Sequence, residues 1–157
     1  PFHSRQYCIF LAYLSRLLFL ADNAFESSLV AYLNKSLNAC EIYGHVSLPP
    51  RMLLGHTIGI VLGRADWGDQ IIIQHNVTVG SSRGMTPCIG SRVMLMNGSL
   101  VAGRSVIGDD CVITPGVRVI NQSIPDNVLV FQGEGKNLVF KENKEAIIQE
   151  SIVAPWS

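Results

Sequence analysis

Hydrophobic positions change period along the chain, and each period predicts a different element. Through residues 6–38 apolar side chains recur at helical spacing: Ile9, Leu11, Leu14, Leu17 and Leu18, then Phe25, Leu29, Tyr32, Leu33 and Leu37. That spacing predicts two helices with apolar faces. Asp22 and Asn23 stand between the runs, as residues that break one helix and cap the next. The reading is a helical hairpin. From Ile42 onward the beat becomes six. Ile42, Leu48 and Leu54 are six apart, as are Trp67, Ile73 and Val79. The beat then runs unbroken through Ile89, Leu95, Val101, Ile107, Ile113 and Val119. Four positions after the first five of these stand small or β-branched residues: Val93, Ser99, Ser105, Cys111 and Val117. The phase slips within residues 56–61 and 64–67, and residues 80–88 interrupt it as a loop. Residues 141–152 read as a final helix, with Ala146, Ile147 and Ile148 available to dock.

A six-residue period matches neither the 3.6-residue turn of a helix nor a heptad. It suits a short strand plus a corner, three of which close a coil of about 18 residues. The expected fold is mainly β, a parallel β-helix in which one inward aliphatic per side stacks into a continuous column. Asp109-Asp110 and Pro115-Gly116 supply turn chemistry at corners. A β-sandwich also uses short strands, but its turn signals are irregular and about 8–12 residues apart. The expected organisation is a helical segment over 1–39, a β-helix domain over 40–136, and a C-terminal helix and tail over 137–157.

Composition narrows the function classes. Twelve basic and 12 acidic residues cancel, which removes the electrostatic argument for a nucleic-acid partner. Only 15% of the 157 residues are charged, against about 25% in a typical soluble domain. The apolar excess has to be covered by a membrane or by copies of the chain. The most apolar stretch, residues 7–21, is interrupted by Arg16 and is shorter than the ~20 residues of a spanning helix. No integral membrane association and a cytoplasmic location are therefore expected. The uncovered remainder, residues 7–21 together with outward positions such as Met94 and Met96, is assigned to contacts between copies. Cys8, Cys40, Cys88 and Cys111 form no C-x-x-C pair and are read as reduced thiols. Because the chain opens on Pro1 rather than Met, residues ahead of it are left open.

The repeat also aligns the polar candidates. His56 stands two residues after Leu54, His75 two after Ile73, and Asn97 two after Leu95. Each step is one coil, so the three should stack at backbone spacings of about 4.8 Å. They form a polar ridge on a scaffold whose columns are otherwise aliphatic or small. Histidine is the usual general base near neutral pH.

These features resemble the hexapeptide-repeat acyltransferases. The nearest pattern is that of serine O-acetyltransferases and the acetyltransferases of polysaccharide biosynthesis. Leu54-Gly55-His56-Thr57-Ile58-Gly59-Ile60-Val61-Leu62-Gly63 is similar to that family's D-H-A-T-G-I-V-V-G segment. Val77-Thr78-Val79-Gly80 is similar to its V-T-L-G-G, followed by the loop and Pro87-Cys88-Ile89-Gly90. Ser123-Ile124-Pro125-Asp126-Asn127 resembles its closing turn.

The resemblance implies a left-handed β-helix, a homotrimer with active sites at subunit interfaces, and acetyl-CoA as co-substrate. It makes His56 the catalytic base, with His75 and Glu41 orienting. Gly80, Gly98, Ala102 and Gly116 would border a slot for the pantetheine arm, and Arg118 and Lys136 would meet CoA phosphates. Arg83, Thr86 and Asn97 would face the acceptor. Carbonic anhydrases on the same fold use three His, two of them close in sequence; this chain lacks such a pair, so no metal is expected.

Departures from the family pattern bear on the acceptor. Gly55 replaces the Asp that precedes the catalytic His, and Met85-Thr86-Pro87 replaces an R-H-P sequence that engages the amino acid. On this basis the expected acceptor is a carbohydrate, a polysaccharide or nucleotide-sugar hydroxyl or amine. The alternatives are serine, with Arg83 replacing the missing Arg, and a catalytically inactive scaffold that assembles through the helical hairpin.

Overall fold

The computed structural model describes residues 3–144. Helices α1 (Ser4–Leu20) and α2 (Ala24–Asn38) form the hairpin, and Ala39 leaves it in the left-handed region at φ 50°. Strand β1 (Cys40–Ile42) then opens a solenoid. The first full coil is β2 (Met52–Leu54), β3 (Ile60–Leu62) and β4 (Asp66–Trp67), and the second is β5 (Ile71–Ile73), β6 (Thr78–Gly80) and β7 (Cys88–Ile89). The third is β8 (Met94–Leu95), β9 (Leu100–Ala102) and β10 (Val106–Ile107), and the fourth is β11 (Val112–Ile113), β12 (Arg118–Ile120) and β13 (Ser123–Ile124). Strands β14 (Val128–Gln132) and β15 (Leu138–Glu142) follow.

Strands three apart pair, with β1 joining β3 and β15 joining β14 at the ends, which builds three sheets: β1-β3-β6-β9-β12, β4-β7-β10-β13, and β2-β5-β8-β11-β14-β15. All pairings are parallel except β14 with β15. The six-residue beat is the reason. Leu54, Ile73, Leu95, Ile113 and Val130 are successive register partners, and so are Ile42, Leu62, Val79, Val101 and Val119. Trp67, Ile89, Ile107 and Ile124 complete the third column. All of these but the partly buried Trp67 belong to one buried core. The parallel β-helix and the N-terminal hairpin expected from the spacing are therefore both present.

The phase slips have local causes. The two extra residues after Leu54 bulge outward, with Ile58 exposed and Gly59 at φ +75°. Residues 81–87 contain a small hairpin in which Ser82 and Met85 exchange backbone hydrogen bonds of 2.9 Å. Arg83 and Gly84 both have positive φ there, as a two-residue primed turn requires.

Two expectations are corrected. Residues 141–142, expected to open a helix, end strand β15 instead, and 143–144 are not helical either: Leu138, Val139 and Phe140 suit a sheet, and β15 pairs antiparallel with β14 along five residues. The rest of that expected helix, with Ala146, Ile147 and Ile148, lies outside the described residues. Met94 belongs to an outward column of Leu53, Ile72, Met94, Val112 and Leu129. It is buried by its own chain, and so offers little surface to a second copy.

Helix α2 turns its apolar side outward. Its buried residues are Ser27, Ala31, Asn34 and Asn38, while Phe25, Leu29, Tyr32, Leu33 and Leu37 are exposed. Polar groups can line this helix contact because they are satisfied across it. Ser15 Oγ donates to the Ser27 carbonyl (2.9 Å), Ser27 Oγ donates to the Ser15 carbonyl (2.8 Å), and Asn34 Nδ2 donates to the Cys8 carbonyl (3.1 Å). Among the described residues no helix is long and apolar enough to cross a membrane.

One corner is held by a ladder of small and acidic residues. The Ser91 amide donates to Asp109 Oδ1 and the Asp109 amide to Asp126 Oδ1, each at 2.8 Å. Arg92 grips Asp110 through Nε and Nη2 (2.6 and 2.7 Å), which holds that carboxyl below its ordinary pKa. Gly68, Gly90 and Gly108 stack in the same corner. A Cβ on Gly90 would sit 2.8 Å from the Gly108 backbone carbon. Gly90→Ala is therefore expected to destabilise by about 1–3 kcal/mol through overpacking, read as a lower midpoint in chemical denaturation.

Candidate active site

His56 stands on the corner between β2 and β3, and His75 on the equivalent corner between β5 and β6. The ladder on either side holds them one coil apart. The Gly55 amide donates to the Ile73 carbonyl (2.8 Å), and the Asn76 amide donates to the Ile58 carbonyl (2.9 Å). Their rings meet at a centroid distance of 5.7 Å and an angle of 71°. His56 is exposed and His75 half-buried. His75 Nδ1 is buried without a hydrogen-bond partner, an unusual state for an imidazole nitrogen. A paired edge-to-face arrangement, one ring accessible and one recessed, can take a proton from a hydroxyl and steady the ring that took it.

Asn97 continues the ridge between β8 and β9. The Gly98 amide donates to the His75 carbonyl (3.1 Å) and the Gly116 amide to the Asn97 carbonyl (3.0 Å). The Asn97 amide in turn donates to Gln74 Oε1 (3.2 Å). Gln74 escaped the sequence reading because it sits one place off the ridge.

Glu41 lies on β1 beside Val61 of β3, which neighbours Thr78 of β6. Its carboxylate is ion-paired with Lys35, in the last turn of α2. Hydrogen bonding to Glu41 raises the Lys35 pKa. Lys35 was missed by the sequence analysis. Its only signal was a cation at the end of a predicted helix, six residues before the candidate carboxylate.

The other candidates fall into two groups. Arg83, at the tip of the small hairpin, lines a cavity of about 460 Å³ with Ser82, Met85, Arg104 and Asn121. Neither arginine has an ion-pair partner among the described residues. Thr86 is exposed beside the hairpin and is not part of that lining. Gly116, Arg118 and Lys136 come together in a second cavity of about 530 Å³, with Gln132 from β14 and Asn121 shared with the first. Gly80, Gly98 and Ala102 line neither cavity. Gly80 and Ala102 are instead register partners on β6 and β9, and Gly98 faces Gly116 across one coil. The Gly80–Ala102 column ends at Ile120 of β12, which lines the second cavity. No group of three or more His, Cys, Asp or Glu positioned for a metal occurs among the described residues.

The likenesses to known proteins follow this geometry. No protein-family model matches the chain. The serine acetyltransferase of Mycobacterium tuberculosis is 32% identical over 106 residues, 64% of this chain and 46% of that protein. A putative serine acetyltransferase of Schizosaccharomyces pombe is 33% identical over 93 residues, 56% of this chain and 34% of that protein. The chain thus spans less than half the length of these curated relatives. Among solved structures, serine acetyltransferase of Vibrio cholerae superposes with a TM-score of 0.80 at 18% identity, covering 93% of this chain and 58% of that one. Serine acetyltransferase of Brucella abortus in complex with coenzyme A gives 0.76 at 20% identity, over 88% and 56%. At those identities the structural likeness is one of fold, and the sequence likeness comes from the curated relatives. This chain is a hexapeptide-repeat β-helix protein similar to the serine acetyltransferases.

Proposed function

We propose that this chain is an acetyl-CoA-dependent O-acetyltransferase acting on serine, with His56 as general base. The observation that carries the reading is the His56–His75 pair, held at the phase where the sequence resembles the acetyltransferase motif. The acceptor hydroxyl gives its proton to His56 as its oxygen attacks the thioester carbonyl carbon. Collapse of the adduct breaks the C–S bond, and His56 returns the proton to the departing thiolate. His75 and Glu41 orient the base and the acceptor. Serine is favoured over the carbohydrate acceptor expected from Met85-Thr86, because the curated relatives are serine acetyltransferases by name. None of those named supports a role in polysaccharide biosynthesis.

The cationic cavity suits the phosphate end of CoA. Arg118 and Lys136 both line it, and neither has an ion-pair partner among the described residues. Gly80, Gly98, Ala102 and Gly116 then border the path of the pantetheine arm toward His56, and Asn97 lies along it. Arg83 and Thr86 stand on the acceptor side. The working assembly is a homotrimer with sites between subunits, on the family resemblance. Arg118→Ala with Lys136→Ala is expected to raise the acetyl-CoA dissociation constant at least tenfold by calorimetry, since charge-assisted contacts to phosphate are strong. Thiol release from acetyl-CoA across serine and a panel of sugars tests the acceptor. Release that depends on serine supports the reading. Release with sugars alone returns the acceptor to carbohydrate, and no heat of binding with acetyl-CoA makes the chain a scaffold.

A further inference from the structure

Three successive coils leave one sheet at the same place. Gly80 of β6, Ala102 of β9 and Ile120 of β12 are register partners. The residues that follow them, Ser82 and Arg83, then Arg104, then Asn121, therefore turn the same corner one coil above another. Backbone bonds fix that corner. The Gly103 amide donates to the Gly80 carbonyl (3.3 Å), and the Asn121 amide donates to the Ala102 carbonyl (3.2 Å). Asn121 Oδ1 accepts the Arg104 amide (3.0 Å), which leaves the Nδ2 hydrogens as the donors this side chain can offer. The paired backbone bonds of Ser82 and Met85 set Arg83 at the hairpin tip. Ser82, Arg83, Met85, Arg104 and Asn121 line one cavity of about 460 Å³, with no acidic residue in its lining. Two guanidinium groups thus share a space without a counter-charge, in a chain whose net charge is zero.

We infer that Arg83, Arg104, Asn121 and Ser82 form a binding site for a phosphomonoester dianion. The charge and donor count select that class. A single Arg already satisfies a carboxylate through two parallel hydrogen bonds. Two Arg with amide and hydroxyl donors suit a group that carries about 1.5–2 negative charges and three acceptor oxygens, as a phosphomonoester does at neutral pH. The cavity lies in the range of about 300–1,000 Å³ that takes a whole small molecule, and Met85 supplies an apolar wall for the organic part. The site is not the histidine ridge. His75 precedes β6 and Ser82 follows it, a separation of about 10 Å along a three-residue strand. The anion is held there, with no bond made or broken. The assignment goes beyond the acceptor-side role given to Arg83, since it adds Arg104 and Asn121 and names the anion. Such a dianion has two sources. One is the 3′-phosphate of CoA, reaching over from the Arg118–Lys136 cavity with which this one shares Asn121. The other is a separate phosphorylated small molecule.

Calorimetry with inorganic phosphate at constant ionic strength tests the site, with circular dichroism confirming that each variant is folded. In the Arg118→Ala/Lys136→Ala background the second cavity has lost its cations, so phosphate reports the first. Adding Arg104→Ala is expected to raise the phosphate dissociation constant at least tenfold, because charge-assisted contacts to phosphate are strong. Adding Arg5→Ala instead, at an exposed arginine outside both cavities, should change it less than twofold. No heat with phosphate in the background, or an Arg104→Ala effect no larger than that of Arg5→Ala, overturns the site. Acetyl-CoA and acetyl-3′-dephospho-CoA, titrated separately into the wild type and Arg104→Ala, then identify the source. A preference of at least tenfold for acetyl-CoA that is lost in Arg104→Ala assigns the site to the 3′-phosphate of the coenzyme. Equal affinities for the two forms in both proteins assign it to a separate phosphate ester. None of these titrations needs turnover, so failure of the enzymatic reading leaves the phosphate result standing.

Discussion

Replacing His56 by alanine is expected to lower kcat for acetyl transfer by about 10²–10⁴-fold, the usual contribution of a positioned general base. The acetyl-CoA dissociation constant should stay within about twofold, because the cationic cavity lies coils away and contains no histidine. A hydroxyl is a poor nucleophile until its proton is taken, and the imidazole of His56 is the exposed member of the pair. His75 differs in kind. It is recessed, its ring meets His56 edge to face, and it steadies rather than abstracts. Steady-state kinetics with calorimetry on His56→Ala separate loss of chemistry from loss of binding. Turnover close to wild type would show that the base is elsewhere.

Leu95→Ala is expected to cost about 2–5 kcal/mol of stability, the range for emptying a fully buried leucine site. Leu95 is wholly inaccessible and stacks between Ile73 and Ile113 in the middle of one column. A solenoid gives such a site little freedom to collapse. The neighbouring coils are set by their own ladders, so the lost methyl groups leave a cavity rather than a rearrangement. Urea denaturation monitored by circular dichroism measures the loss. A change below about 0.5 kcal/mol, typical of surface substitutions, would contradict the central place given to the column.

Much of the fold was legible because each strand contributes one inward residue at a fixed phase. Leu95, Val101, Ile107 and Ile113 announce three sides and a return to the first. The same phase made the His56–His75 stack readable before any coordinates, since equal offsets from Leu54 and Ile73 mean equal corners. Legibility failed where tertiary pairing overrode local pattern. Residues 138–142 run into a helix-like stretch in sequence, but β14 offers an open edge and β15 takes it. Periodicity placed Phe25, Leu29 and Leu37 on one side of α2, and an apolar side is ordinarily the packed one. Here Ser27 and Asn34 find partners across the hairpin, and that outcome is invisible without the facing helix. Arg118 and Lys136 were named from the sequence, whereas Asn121 and Gln132 were not. The latter pair joins the cavity through the path of the chain near the β14–β15 turn, which no period announces.

The most direct measurement is product stoichiometry. Purified chain is incubated with acetyl-CoA and serine, thiol release is followed, and the acetylated product is identified by mass spectrometry. The account predicts one O-acetylserine for each CoA thiol released, with both absent when His56→Ala replaces the wild type. Thiol release without O-acetylserine, or equal yields from the wild type and His56→Ala, would contradict it.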